Sequence, residues 1–384
     1  MKNKYIYFTS AMDEKSFEDY LKDWRVSPNL SNQNFHNKLI HSLALSHDID
    51  VISIRSINKN FKHKSLEAKI VKEDNIFWKY TYVTTNKIKK YLKLFKWIKQ
   101  ISMHDSEIVF VDVLNLSLLK NATKYAKKYK KKIIGVVTDS PNNISFLTKR
   151  YRKALLKYGQ LLDGYIVMTD RLGDLYNIKN KPITKIDGVS ELKVEYLPKE
   201  IEGRYIYFGG SLMPEYGVYN LIEAFKKIND PTLKLVLCGH HVDMKQLHKA
   251  IKNCPNIIYK GPVAYKENLS LEKHSILAVN PRPINDKIDD YSIPSKTIEF
   301  LANGVLTVTV NNILLKDHYG PCIVWAETGE VDDLVDAINK ALSMTKIERE
   351  MITLLGKNKA MQYTSQENVN KQIDSELLSK ISLD

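Results

Sequence analysis

Between Ile276 and Val310 the chain reads ILAVNPRPINDKIDDYSIPSKTIEFLANGVLTVTV. That order of residue types admits little except a strand, a loop, a helix and a second strand. Ile276 to Val279 is a short apolar run of the kind found in a buried strand. Pro294 has a fixed φ and no N–H, which suits the first turn of a helix. The spacing predicts a helix from Pro294 to Ala302, stopped by Gly304, and then a strand from Val305 to Val310. On that helix Ser295, Lys296 and Glu299 are three and four residues apart and share a face. A loop bearing Arg282, a helix N-terminus and a nearby lysine form a cradle for a diphosphate. A carboxylate one turn deeper accepts hydrogen bonds from paired ribose hydroxyls. A plainer reading stands beside this one: Lys296 and Glu299 as a surface pair worth a few tenths of a kcal/mol.

The same alternation runs through the rest of the chain. Strands are expected at Tyr5–Phe8, Val51–Ile54, Ile108–Val113, Ile133–Val137 and Tyr165–Met168, with helical stretches between them. That is the pattern of an α/β protein with a parallel, doubly wound sheet. A polar stretch follows the first strand to about Ser31, and a helix is expected from Asn32 to His47. The long first loop, with Asp13, Trp24, Arg25 and Asn29, falls where such a sheet presents its ligand crevice. No Gly-x-Gly-x-x-Gly follows the first strand, so a dinucleotide fingerprint is absent there. Asp139, in the loop after a strand, either orients an acceptor hydroxyl or forms its own turn. Punctuation by Pro182, Gly188, Pro198 and Gly203 places a linker between Lys181 and Gly203.

PSKTIEFLANGVLTVT resembles the "P-S-K-x-x-E-Y-x-A-x-G-x-P-V" segment of retaining glycosyltransferases of family four. The resemblance implies two Rossmann-like domains facing across a cleft, the GT-B architecture. It also implies that Glu299 holds the ribose and Lys296 faces the diphosphate. The stretch GGSLMPEYGVYNLIEAF after strand Tyr205–Phe208 resembles the opening of the family's nucleotide domain. There Gly209 and Gly210 let backbone approach a ligand, with Ser211 beside them. Many members carry Arg and Lys in this loop, but Ser211 to Gly217 has neither, which leaves Arg282 and Lys296 as the cations. The family's earlier glutamate falls on Tyr291, after Asp289 and Asp290, and its usual proline is Leu306. By the same resemblance Val263 and Tyr265 border the nucleobase. His240 and His241 read as a polar loop beside the nucleotide, since neighbours on an extended chain point apart and no third metal ligand has suitable spacing. LDGYIVMTDRLGDLY, Leu161–Tyr176, resembles the strand that ends the family's N-terminal domain.

A chain of 384 residues suits two ordinary domains. The expected division is an acceptor-binding domain at 1–195, a nucleotide-sugar domain at 201–365, and a final helix at 366–384 crossing back to the first. Three cysteines are too few for a disulfide framework or a zinc site, which fits a reducing, cytoplasmic setting. No signal peptide and no spanning segment is expected. The net charge of +14 is uneven: residues 1–200 hold 37 Lys+Arg against 21 Asp+Glu, and residues 201–384 hold 21 against 23. The first domain therefore faces something anionic. Lys87–Gln100, KIKKYLKLFKWIKQ, has an apolar arc opposite Lys89, Lys93 and Lys96. It reads as a helix docked on an anionic membrane surface, or as a surface helix packed on its own domain. Lys120–Lys132 reads as a solvated basic helix.

Together these readings describe a peripheral membrane glycosyltransferase. It moves a sugar from a nucleoside diphosphate, a UDP-sugar being the expected donor, to a lipid-linked or other saccharide acceptor in cell-envelope polysaccharide synthesis. Retention of configuration, with no cofactor and no metal, follows from the resemblance. Arg282, Lys296 and Asp139 are the expected catalytic residues. Gly209, Gly210, Ser211, His240, Val263, Tyr265, Ser295 and Glu299 are the expected donor contacts. Two other classes stay open: a GT-B-like partner that binds without turnover, and a basic nucleic-acid-binding protein, for which no recognised module is present.

Overall fold

The computed structural model describes residues 3–24, 30–58, 60–86, 106–144, 147–191, 194–240, 243–285 and 289–381. The chain divides into two compact units, Met1–Val189 with Thr364–Asp384, and Ser190–Tyr363.

In the first unit β1 (Lys4–Thr9) is followed by α1 (Glu14–Leu21), α2 (Leu30–Ala44) and β2 (Asp48–Ser53). Next come β3 (Ser65–Leu66), β4 (Lys69–Glu73), β5 (Ile76–Tyr80) and β6 (Val83–Thr84). The unit continues through β7 (Ile108–Asp112), α3 (Leu116–Tyr129), β8 (Lys132–Val137), α4 (Lys149–Gly159), β9 (Gly164–Val167), α5 (Asp170–Tyr176) and β10 (Ile183–Lys185). Eight of its strands form one sheet in the order β10-β9-β8-β7-β1-β2-β5-β4. All neighbours are parallel except β4, which pairs antiparallel with β5. β1 and β2 are buried along almost their whole length, as expected of strands covered on both faces.

Four local expectations are corrected. The polar stretch after β1 contains α1, whose N-cap Asp13 accepts a hydrogen bond from Ser16 N at 2.8 Å. Its buried face is only Ser16 and Tyr20, too sparse to show as an apolar period. The second helix ends at Ala44, before His47. The β4–β5 hairpin was not foreseen, although it turns at Asp74 with φ 47° and Asp-Asn between extended runs is a hairpin signal. The basic helix α3 is not simply solvated: Leu118, Leu119, Ala122, Tyr125 and Ala126 are buried, while its lysines 120, 124, 127 and 128 are exposed. Lys87–Gln100, Arg25 and Asn29 lie outside the described residues.

The second unit contains β11 (Arg204–Ser211), α6 (Val218–Lys227), β12 (Leu233–His240), α7 (Met244–Ile251), β13 (Ile257–Gly261) and α8 (Tyr265–Lys273). After these come β14 (Leu277–Asn280), α9 (Ser295–Ala302), β15 (Thr307–Val310), α10 (Ile313–Tyr319), β16 (Val324–Ala326) and α11 (Val331–Ser343). The long α12 (Lys346–Thr364) follows. The sheet is wholly parallel, in the order β13-β12-β11-β14-β15-β16. The strand expected from Val305 starts at Thr307, because Val305 N and Gly304 N still bond to the carbonyls of Phe300 and Leu301. Residues of β11, β12, β14, β15 and α6 share one buried core, including Ile206, Phe208, Leu221, Leu235, Val279 and Val308.

The tail returns to the first unit. α13 (Gln366–Gln372) and the turns after it bury Val369, Ile373 and Leu377 completely. Ser42 Oγ donates to Gln366 O at 2.6 Å, and Thr184 Oγ1 to Glu376 Oε2 at 2.7 Å.

Candidate functional site

In the second unit the chain winds outward from β11 to β13, then returns to β14 beside β11. This reversal opens a crevice outside the carboxyl ends of β11 and β14, the place where open α/β sheets bind ligands. Three expected segments meet there. Gly209, Gly210 and Ser211 end β11 in register with Cys238, Gly239 and His240 of β12. The register requires glycine: a Cβ on Gly239, at φ 133°, would lie 1.7 Å from Gly210 O. Gly217, at φ 76°, caps α6 against the next segment, since a Cβ there would fall 2.1 Å from Pro281 O. The loop after β14 is thereby held against the start of α6.

α9 supplies the third segment. Its first residue, Ser295, is exposed. The Lys296 stem lies over the glycine tip, with Cε 3.9 Å from where a Gly210 Cβ would stand. Its ammonium meets Glu299 Oε1 at 2.6 Å, with the two side chains 32% and 18% exposed. The pair is half-sheltered, and that settles which charge state prevails. Burial alone would lower the Lys296 pKa, but the carboxylates of Glu299 and then Glu272 outweigh it and raise it above the ordinary lysine value. Lys296 is a held ammonium. Arg282 is held too: Nη2 donates to Asp289 Oδ1 at 2.9 Å, and Asp289 Oδ2 also accepts from Asn285 N. Asp289 stands two residues before Tyr291, where the resembled family often has its first glutamate. A shallow open depression lies here, lined by Arg282, Asp289, Pro294, Asn280 and Thr309 among others. Pro294 is the N-cap of α9, so Arg282 and the start of the helix border one depression.

What fixes α9 to the sheet did not show in the sequence. Asn280 Nδ2 donates to Thr297 Oγ1 at 2.9 Å, Thr297 Oγ1 lies 3.2 Å from Thr309 Oγ1, and Thr309 Oγ1 bonds to Asn280 O at 3.3 Å. All three are buried. They tie the ends of β14 and β15 to the first turn of the helix that carries Lys296 and Glu299. The available signal was a polar residue closing one apolar strand, Asn280, and another one position from the end of the next, Thr309.

The remaining donor candidates scatter more widely. Tyr265 begins α8, and its phenol is pushed well up by burial, with Glu299 the next cause. It therefore shares the carboxylate's surroundings. Val263 is partly buried against the apolar cluster that includes Tyr205, Tyr207 and Cys238. His240 is exposed at the strand tip, and His241 lies outside the described residues. Between Ser211 and Gly217 a turn of 3₁₀ helix, Pro214–Tyr216, carries Glu215 and no cation. Among the described residues no group of three or more His, Cys, Asp or Glu is placed to hold a metal ion.

Asp139 belongs to the first unit. Its Oδ1 accepts from Ser140 N at 2.6 Å and from Asn143 Nδ2 at 3.3 Å, the turn-forming geometry. The point of chain reversal in that unit lies between β1 and β7. There Asn32 Nδ2 reaches both Ser10 Oγ at 3.4 Å and the buried Asp112 Oδ2 at 3.2 Å. Sequence reading did not single out Asn32 or Asp112. Asp13, which it did, is buried and bonded to Tyr80.

Comparison with known proteins bears on the fold. Residues 191–357 match the family model described as Glycosyl transferases group 1. No curated protein sequence matches the chain. Among solved structures, sucrose-phosphate synthase from Thermosynechococcus elongatus superposes with a TM-score of 0.70 at 12% identity, over 97% of this chain and 98% of that one. HepE from Anabaena in complex with UDP-glucose gives 0.66 at 13%, over 98% and 99%. A UDP-forming trehalose-phosphate synthase from Burkholderia xenovorans gives 0.67 at 12%, over 99% and 100%. At such identities these likenesses show the fold. The chain therefore has the GT-B fold of two Rossmann-like domains, and its residues 191–357 match the model of glycosyl transferases group 1.

Proposed function

We propose that the protein is a retaining glycosyltransferase whose second unit binds a nucleoside diphosphate sugar, with a UDP-sugar first among candidates. One observation carries the reading. At the crevice beside β11 and β14, the backbone tip at Gly210, the ammonium of Lys296 and the carboxylate of Glu299 converge. The glycine tip admits a diphosphate close to backbone, Lys296 and Arg282 neutralise it, and Glu299 accepts from ribose hydroxyls. Ser211, His240, Val263, Tyr265 and Ser295 complete the donor contacts. As the bond from anomeric carbon to phosphate oxygen breaks, its electrons pass to the diphosphate. Two preorganised cations then bind more strongly than in the ground state. The acceptor hydroxyl bonds to the anomeric carbon on the face the diphosphate leaves, and its proton passes to the departing diphosphate oxygen. Charge neutralisation by the protein leaves this reading with no need of a metal.

For the acceptor, the basic excess of residues 1–200 and the stretch Lys87–Gln100 favour a lipid-linked saccharide at an anionic membrane surface, as in cell-envelope polysaccharide synthesis. Among the described residues no helix is long and apolar enough to cross a membrane, so attachment would be peripheral. A soluble sugar phosphate is the second reading, favoured by the sucrose-phosphate and trehalose-phosphate synthases among the structural relatives.

A thermal-shift panel of UDP-, GDP- and ADP-sugars tests the donor claim, because a ligand bound to the native state stabilises it by mass action. The specific donor should raise Tm, and donor turnover should follow. A donor that binds but is neither transferred nor hydrolysed would mean a binding partner instead. Vesicle co-sedimentation at low and high salt tests the membrane claim. Binding should weaken with salt and on changing Lys89, Lys93 and Lys96 to Glu. A chain indifferent to anionic vesicles, yet active on sugar phosphates, points to the second acceptor reading.

A further inference from the structure

Helix α12 is apolar on two sides. One side packs on its own unit: Ala360 is fully buried, Ile352 lies against the sheet core, and a Cβ on Gly356 would fall 2.9 Å from Leu301 Cδ2. The other side carries Ile347, Met351, Leu354 and Leu355, which are 70%, 66%, 61% and 42% exposed. Scattered surface leucines need no explanation, but a contiguous stripe marks an interaction site. Within the helix the stripe keeps alternate spacings of four and three through Ile347, Met351, Leu354, Asn358 and Met361, the a/d seam of a two-helix coiled coil. At Ile347, Met351 and Leu354 the helix's own packing does not use this seam.

We propose that α12 is a homodimer contact, in which two copies lay their outer stripes antiparallel about a twofold axis. Charge decides for a second copy in this orientation. When Met351 lies opposite the partner's Leu354, the flanking position Glu350 falls opposite the partner's Lys357, and symmetry repeats both contacts. A parallel pairing would set Glu350 against the partner's Leu355 and bring no opposite charges together. A lipid surface fits the stripe less well. Its exposed charged neighbours, Lys346, Glu348, Glu350 and Lys357, are balanced, whereas an interfacial helix is rich in Lys and Arg. From Ile347 to Met361 the seam runs roughly 21 Å, enough for a concentration-dependent rather than an obligate dimer.

Sedimentation velocity of the full chain, from about 1 to 500 µM at low salt, tests the proposal. Wild type should shift from monomer to dimer within that range. Glu350→Lys, which sets like charges together twice, should weaken the dimer by roughly tenfold. Adding Lys357→Glu should restore it, an outcome that a misfolded variant cannot produce. Met351→Glu with Leu354→Glu, both at exposed positions, should remain monomeric with an unchanged circular dichroism spectrum. A wild type monomeric throughout, or a dimer that survives the double glutamate variant, overturns the proposal. So does a monomer whose stripe is needed for co-sedimentation with phosphatidylglycerol vesicles, which would make the face a lipid contact.

Discussion

Replacing Glu299 by alanine should separate the two halves of the proposed donor site. The carboxylate has two tasks: it accepts from the ribose, and with no donor present it pairs with Lys296 at 2.6 Å. A hydrogen bond to a charged group contributes about 1.5–3 kcal/mol. Losing even one to a ribose hydroxyl should weaken nucleoside binding by about tenfold or more. The second task works in the opposite direction. With side chains 32% and 18% exposed, the Lys296–Glu299 pair is partly solvated, and a three-apart helix pair is worth about 0.3–0.5 kcal/mol. Freed of its carboxylate, Lys296 is more available to a diphosphate, and this recovers about twofold. Uridine should therefore lose more affinity than UDP. Glu299→Gln, which keeps an acceptor without the charge, should fall between. Calorimetric titration of uridine and UDP into folded protein at fixed low salt reads these differences, with the circular dichroism spectrum as a check on folding. Unchanged affinity for both ligands would remove Glu299 from the site. A loss confined to UDP would place its action at the phosphates and refute the ribose assignment.

Arg282→Ala and Lys296→Ala should each lower turnover by about 10²–10³, with a smaller effect on donor affinity, because their attraction grows as the diphosphate departs. Steady-state kinetics, with donor hydrolysis as a fallback, measure this, and two variants as fast as wild type would move the site elsewhere. Thr297→Val is nearly isosteric but leaves Asn280 Nδ2 buried without its acceptor. It should cost about 1–3 kcal/mol, seen as a Tm lower by about 2–4 °C per kcal/mol, and a Tm equal to wild type would show the triad is dispensable. Burial pushes the Cys238 thiol up to about 12, so it should resist iodoacetamide at neutral pH until the protein is denatured. The folded value is raised, so its stabilising contribution is complete below the ordinary thiol range and fades as pH climbs toward 12. Tyr7 and Tyr207, also raised by burial, act in the same direction. Denaturation midpoints should therefore fall on the alkaline side, and a flat profile would contradict the burial.

Much of the second unit was legible because its signals are local. A proline at a helix start, a glycine at its end and β-branched strands on either side need only neighbouring residues, and α9 begins one residue from the expected position. Lys296 and Glu299 share a helix face for the same reason, since helical geometry alone sets a three-residue separation. The pairing of Arg282 with Asp289 was less accessible. They stand seven positions apart, and the chain after β14 is placed by packing against Gly217 rather than by periodicity. In the first unit, α1 and β5 went unread because their buried residues are few or follow one another without alternation.

By itself, then, the sequence determined the alternating α/β character, the glycines at the strand tips and the residues that share a face of α9. Each of these depends on backbone sterics within a few residues. Tertiary structure alone decided which strands are neighbours. That choice places β14 beside β11, sets Arg282 and Pro294 around one pocket, and joins Asn280, Thr297 and Thr309 across two strands and a helix. It also decided that one side of α12 is covered and the other bare, though both are apolar. Such outcomes rest on contacts between residues far apart in the chain, where many pairings satisfy the local rules and only burial of the whole core selects among them.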